Sequence, residues 1–403
     1  MNTQDNRGPG LLLTLPTELS SREARLSPFA WYRAQRDAAP VQYDPKRNAW
    51  DVWAYASVQK VLQNPTLFSS QRQAMAGREP GPASILSLDP PRHTKLRALV
   101  NKAFVPRTVE TLLPRIKTIT DQLLSTIDHP ESFDVVKHLA YPLPVTVIAE
   151  LLGVPQEDQA FFKETSDILV RGVEDPQNIE HLRNQKLEAR MRLGLYFRDI
   201  LQARRKHPAD DLISQLVQAE IDGEHLSEME LLGFCIVLLA AGHETTTNLI
   251  TNAVRALTED PGRWQWLVQN PGALSSTIEE VLRFYSPVQA TNRIVTQKTQ
   301  WQGYPLEPGH QMIVWLGSAN RDPSVFENPD TFIATRHPNP HVSFGYGIHF
   351  CLGAALARAE AHVALTGLLQ RFPNLQAIGS QQLSPIISGF VYGVESYQVN
   401  GTA

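Results

Sequence analysis

Phe344-Gly345-Tyr346-Gly347-Ile348-His349-Phe350-Cys351-Leu352-Gly353 runs directly into an apolar helical pattern, Ala354 to Leu369. A cysteine just ahead of a helix N-terminus lies among backbone N–H groups that have no partner inside the helix, at the positive end of its dipole. Both conditions favour a thiolate. The flanking glycines let the backbone bend beneath a flat ligand without Cβ clashes. The stretch therefore reads as a thiolate metal-binding loop. A lone cysteine beside a glycine turn also admits a plainer reading, a buried and inert thiol, so the rest of the chain has to choose between the two.

The 403 residues are 42% hydrophobic and 19% charged, the composition of an ordinary globular protein with a large core. A formal net charge of −4 supplies no overall cationic field, which argues against a nucleic acid as ligand. Cys235 and Cys351 are the only cysteines and sit in unlike surroundings, so a disulfide framework is disfavoured and a reducing, cytoplasmic location is expected. Met1 to Leu15 carries neither a signal-peptide pattern nor a membrane anchor. The apolar run Leu231 to Gly242 is too short to span a bilayer and reads as a buried core helix.

Apolar and polar residues alternate around Trp50-Asp51-Val52-Trp53, a strand pattern, and a helix is expected from Ala56 to Gln63, stopped by Asn64-Pro65. From Arg92 to Asp260 a 3.6-residue period dominates, predicting helices over Thr108–Ile127, Pro144–Leu152, Ile179–Lys206 and Glu228–Leu257. After Arg283 come short strands, Arg293–Val295 and Gln311–Trp315, and then the last helix. No repeat or long linker divides the chain, so one mainly α domain with a small β-rich portion is expected over residues 1–403. Gln71 to Pro91, rich in Gly, Pro and Ala, is expected to form a long loop of the kind that makes lids.

Three further segments carry chemistry. Within the apolar helix, Ala241-Gly242-His243-Glu244-Thr245-Thr246 sets an acid beside an alcohol. Gly242 weakens the helix and the Thr245 hydroxyl is in range of the Ala241 carbonyl, so a local kink is expected, with Glu244 and Thr245 as a short proton relay. Taken alone, self-satisfied threonines and a Glu244 paired with a base such as Arg255 read equally well. Glu280-Val281-Leu282-Arg283 places an acid and a base on one helix face. Asp89-Pro90-Pro91-Arg92-His93-Thr94-Lys95-Leu96-Arg97 sets His93 and Arg97 one helical turn apart, a donor pair suited to carboxylates.

Together these segments resemble the cytochrome P450 family, in its soluble bacterial type. Phe344 to Gly353 meets every specified position of that family's haem-binding pattern, Phe-Gly-x-Gly-x-His/Arg-x-Cys-x-Gly, and the resemblance runs from about Trp50 to Val391. It implies the cytochrome P450 fold, a single domain with haem b between the kinked helix and the cysteine loop. Cys351 is then the axial iron ligand. The resemblance assigns the haem propionates to His93, Arg97, Arg293 and His349, proton handling on the distal side to Glu244 and Thr245, and a buried folding cluster to Glu280, Arg283 and Arg336. One departure from the family pattern stands before Arg336, where Phe332-Ile333 replaces the usual Phe-Asp or Phe-Pro. His341 is expected to support the loop only.

By the same resemblance, a substrate pocket poor in charge is lined by Ile85, Leu86, Val237, Ala240, Ala241, Val288, Gln289, Ala290, Thr291, Phe390 and Val391, with Gln289 or Thr291 orienting a polar end. The implied activity is a haem-thiolate monooxygenase that inserts one atom of dioxygen into a hydrophobic small molecule. Its electrons would come from a separate ferredoxin or flavodoxin type donor, drawn to a basic patch of Arg92, Lys95, Lys102, Arg107 and Arg358. A monomer is expected. Two other readings are a peroxide-driven peroxygenase and a non-catalytic haem-binding sensor. The first would carry an arginine where Glu244 and Thr245 stand, and for the second a proton relay is surplus.

Overall fold

The computed structural model describes residues 16–45, 47–71, 84–101, 106–170, 178–209, 211–221, 223–379, 381–388 and 390–402. Helices dominate it. From the N-terminal side they are α1 (Arg22–Leu26), α2 (Phe29–Ala38), α3 (Tyr55–Gln63), α4 (Arg92–Asn101), α5 (Pro106–Ser125), α6 (Pro142–Leu151) and α7 (Gln159–Val170). The series continues with α8 (Ile179–Lys206), α9 (Leu212–Gln218), α10 (Glu228–Thr258), α11 (Pro261–Gln269), α12 (Leu274–Phe284), α13 (Leu316–Ala319) and α14 (Ala354–Arg371). The periodic pattern thus locates α8 at its observed bounds. The helix expected over Thr108–Ile127 begins two residues earlier, at Pro106, a residue whose fixed φ suits a first helical turn.

Apolar on most of its circumference, α10 sits at the centre, packed by α6, α8 and α14. Its start is closed by a capping box: the Ser227 hydroxyl accepts from Glu230 N (3.3 Å) and the Glu230 carboxylate accepts from Ser227 N (2.9 Å). The same Glu230 carboxylate accepts two 2.6 Å bonds from Arg92 at the start of α4. The helix runs to Thr258, its backbone bonding continuing through Gly242 where the kink is expected. Gly242 answers a different need, because a Cβ there would lie 2.8 Å from Ile148 Cδ1 of α6.

Among the described residues the β portion is one five-stranded sheet, one three-stranded sheet and two two-stranded ones. Strands β1 (Val41–Asp44), β2 (Ala49–Val52), β3 (Phe68–Ser69), β4 (Ala290–Val295) and β5 (Gln311–Trp315) stand in the order β1-β2-β5-β4-β3. Only the β2–β5 pair is parallel. Trp53, just past β2, stacks on Trp315 at the end of β5 with ring centroids 5.0 Å apart, a contact that locks the sheet to α2 through Trp31 and Tyr32. Of the expected loop Gln71 to Pro91, residues 72–83 lie outside the described residues. Its far end is anchored by Asp89, whose carboxylate accepts from Ser69 Oγ (2.5 Å) and Ser70 N (3.0 Å).

Candidate active site

The cysteine loop is a rigid turn. Cys351 N donates to Phe344 O (2.9 Å), and Phe350 N donates to Gly347 O (3.0 Å). Gly347 has φ +72°, and a Cβ at that position would come within 2.5 Å of the Leu62 carbonyl oxygen at the end of α3, so only glycine fits. Cys351 is a free thiol that offers surface on one side, whereas Cys235 is buried in α10 with its thiol pushed up to about 12 by desolvation. Protein mass around the Cys351 sulfur also raises its thiol. The Gly353 N–H and the guanidinium groups of Arg97 and Arg358 act in the opposite direction. Of these influences desolvation is the largest, so the helix terminus does not by itself draw the thiol below its ordinary range.

Beside the loop stands a cluster of donors. His93 is 2% exposed and neither of its ring nitrogens has a hydrogen-bond partner among the described residues. Desolvation lowers its pKa first, and Arg97 and Arg293 lower it further. Its ring lies 4.2 Å from that of His349, whose Nε2 is 3.0 Å from Ser70 Oγ. Arg97 donates to Phe350 O (2.7 Å), tying α4 to the cysteine loop, and Arg293 reaches Asn292 O (2.8 Å) and Thr291 Oγ1 (3.3 Å). An orphaned, buried histidine in the field of two arginines fits an anionic group. Two propionates beside a flat macrocycle meet that requirement, and the exposed thiol fits the iron.

On α10 the Thr245 hydroxyl donates to Ala241 O at 2.7 Å, as the spacing predicts. Glu244 does not pair with Arg255, which instead binds Glu259 (2.7 Å) and Tyr392 Oη (3.1 Å). Burial pushes the Glu244 carboxyl up to about 8. Lys186 of α8 works against that shift, and Asp167 of α7 adds to it. Neither neighbour was legible in the sequence, because both meet Glu244 only through helix packing. Asp167 is held by a 2.5 Å bond from Tyr141 Oη.

The Glu-x-x-Arg pair is fully buried and fully bonded. Arg283 donates two 2.8 Å bonds to Glu280, Arg336 donates a further pair at 3.1 and 3.2 Å, and Ile333 N donates at 2.8 Å. The contact to residue 333 is made by the backbone, which explains why the Phe332-Ile333 departure leaves the cluster intact. A second cluster, absent from the sequence reading, joins Glu279 to His341 (3.0 Å) and to Arg358 (2.6 and 2.8 Å). The expected basic patch is altered accordingly. Arg358 is tied to Glu279, Arg92 to Glu230 and Glu224, and Lys95 to Glu224 (2.9 Å). Lys102 and the side chain of Arg107 lie outside the described residues.

Among the pocket candidates, Ala241 is exposed, Val237 and Ala240 are half-buried, and the short turn carrying Ile85 (buried) and Leu86 (45% exposed) packs on α10. Val288 and Val391 face each other across a β-bridge, with half-buried Phe390 next to it and Ala290 wholly buried. Gln289 departs from expectation. Its amide donates to Ser286 O (2.6 Å) and its other end packs at Gly317, on a small internal cavity shared with Tyr32 and Tyr392. Of the two residues expected to orient a polar end, half-buried Thr291 remains.

An exposed thiol in a glycine turn, an anion-binding cluster beside it and an acid–alcohol pair on a central helix define a haem-thiolate oxygenase. The family described as Cytochrome P450 matches residues 41–400. Cytochrome P450 109 of Bacillus spizizenii is 48% identical over 388 residues, covering 96% of this chain and 94% of its own length. Erythromycin C-12 hydroxylase of Saccharopolyspora erythraea is 41% identical, covering 86% and 87%. The crystal structure of CYP109E1 from Bacillus megaterium in complex with testosterone superposes with a TM-score of 0.86 at 44% identity, covering 94% of this chain and all of that one. The chain belongs to the cytochrome P450 family: it is a haem b monooxygenase that uses dioxygen and depends on a redox partner.

Proposed function

We propose that the enzyme hydroxylates a bulky, predominantly apolar molecule of steroid or macrolide type, with electrons from a separate ferredoxin or flavodoxin type protein in the cytoplasm. The observation that carries the substrate class is the run of small and apolar residues on α10 leading up to Thr245, namely Val237, Ala240 and exposed Ala241, whose carbonyl accepts from the Thr245 hydroxyl; the family resemblance adds Val288, Val391 and the Thr291 hydroxyl. Such a lining would bury apolar ligand surface at ~25 cal/mol per Å2. One relative crystallised in complex with testosterone and another named for erythromycin point the same way. In a spectral titration, testosterone and a 14-membered macrolactone are expected to bind more tightly than small charged hydrophiles. The reverse ranking would sink the assignment.

In this reading Cys351 holds the iron of haem b, and His93, Arg97, Arg293 and His349 hold its propionates. When bound, the haem supplies the activation of dioxygen. Glu244, poised at about 8, takes protons from the Lys186 side, and Thr245 receives them at its hydroxyl by leaving the Ala241 carbonyl. Thr245→Ala is expected to keep substrate binding while diverting most consumed NADPH to hydrogen peroxide, with product falling ~10-fold or more. The coupled rate of the wild type falls as pH rises through about 8, since Glu244 donates only while protonated. Glu244→Gln should flatten that limb, and an unchanged coupling ratio in Thr245→Ala would count against the relay.

A further inference from the structure

Among the described residues, the three most exposed large apolar side chains all lie on one helix: Leu187 (57%), Met191 (56%) and Leu195 (60%) of α8. Their spacing of four residues aligns them in a single stripe. The opposite face of α8, with Leu193, Phe197 and Leu201, is wholly buried, so the stripe points away from the molecule. Scattered exposed apolar residues are ordinary, but a continuous row is the mark of an interaction surface. Beside it, Gly194 has nothing within 4 Å of where a Cβ would stand, so another backbone is able to approach closely there.

The pattern is self-complementary about Met191. A two-fold axis through that residue, with two copies of α8 antiparallel, sets Leu187 of each copy against Leu195 of the other and joins the two Met191 side chains. At 3.6 residues per turn, Glu188 and Arg192 fall on the same edge of the stripe, so the axis also brings Glu188 of each copy alongside Arg192 of the other. Within one copy Glu188 has no ion-pair partner among the described residues, and Arg192 lies over the Phe161 ring (5.0 Å) and reaches the nearest acid, Glu164, at 3.9 Å. Matching apolar and charged positions under one rotation is what a closed two-fold dimer needs, and an unlike partner or a lipid surface would not require it.

We propose that α8 is the interface of a weak homodimer, formed by antiparallel packing of two α8 helices about Met191. This departs from the monomer expected from the sequence. The stripe from Leu187 to Leu195 is only ~12 Å long, short of the ~800 Å2 per partner of a stable interface. Association is therefore reversible and set by protein concentration.

Sedimentation velocity of the haem-loaded enzyme over a concentration series tests it. The wild type is expected to shift from monomer to dimer, and Leu195→Lys to stay monomeric at every concentration with its absorption spectrum unchanged. Under mild diamide oxidation, Met191→Cys is expected to form a disulfide-linked dimer, whereas Met229→Cys, comparably exposed at the start of α10, does not. A wild type that remains monomeric at the highest concentration overturns the proposal, as does a dimer indifferent to Leu195→Lys. So does a monomer that floats with anionic phospholipid vesicles through this stripe, which would assign the face to a membrane.

Discussion

Cys351→Ala is expected to abolish monooxygenase turnover and to remove the strongly red-shifted Soret band of the ferrous carbon monoxide adduct that thiolate ligation gives. The loop leaves no substitute. Cys351 N is bonded to Phe344 O and Phe350 N to Gly347 O, and His349 is engaged with Ser70 and lies tilted against His93. Cys351 is the only sulfur in the loop, so its loss removes the one side chain there that would hold iron as a thiolate. If the variant kept both the shifted band and hydroxylation, Cys351 would not be the ligand. A variant that lost turnover but retained haem through its propionate contacts is the expected outcome, since His93, Arg97 and Arg293 do not depend on the sulfur.

Glu280→Ala is expected to cost about 3–5 kcal/mol, the range for removing one partner of a buried ion pair, against total stabilities of roughly 5–15 kcal/mol. Arg283 is wholly buried, and its other donors go to the carbonyls of Asn320, Pro329 and Thr331. Without Glu280 its charge remains uncompensated, together with that of Arg336. The denaturation midpoint of the haem-loaded protein and its soluble yield report the effect. Arg336→Lys, which keeps the charge and loses only the planar donor geometry, is expected to be milder. A Glu280→Ala protein within about 1 kcal/mol of the wild type would show that the cluster is not a folding element.

These two sites were also the most legible in the sequence, for a physical reason. A ligand loop before a helix and an i, i+3 pair are local: their geometry follows from neighbours along the chain. The helices α8, α10 and α12 were legible for the same reason, through a period that the backbone enforces. What stayed hidden is tertiary. Asp89 holding Ser69 and Ser70, Ser70 reaching His349, and Lys186 and Asp167 flanking Glu244 all join residues with no sequence relation. The expected patch of Arg92, Lys95 and Arg358 was read from charge alone, and Glu224, Glu230 and Glu279 occupy those cations from elsewhere in the chain. Gln289 was placed by position, but its rotamer was decided by a carbonyl three residues back.

Glu230 serves two masters at once, closing the first turn of α10 through Ser227 and gripping Arg92 at the head of α4. Helix ends ordinarily fray on their own, each with a small local opening energy. Loosening the first turn of α10 and releasing Arg92 both act on this one carboxylate, so an opening at either helix start weakens the hold on the other.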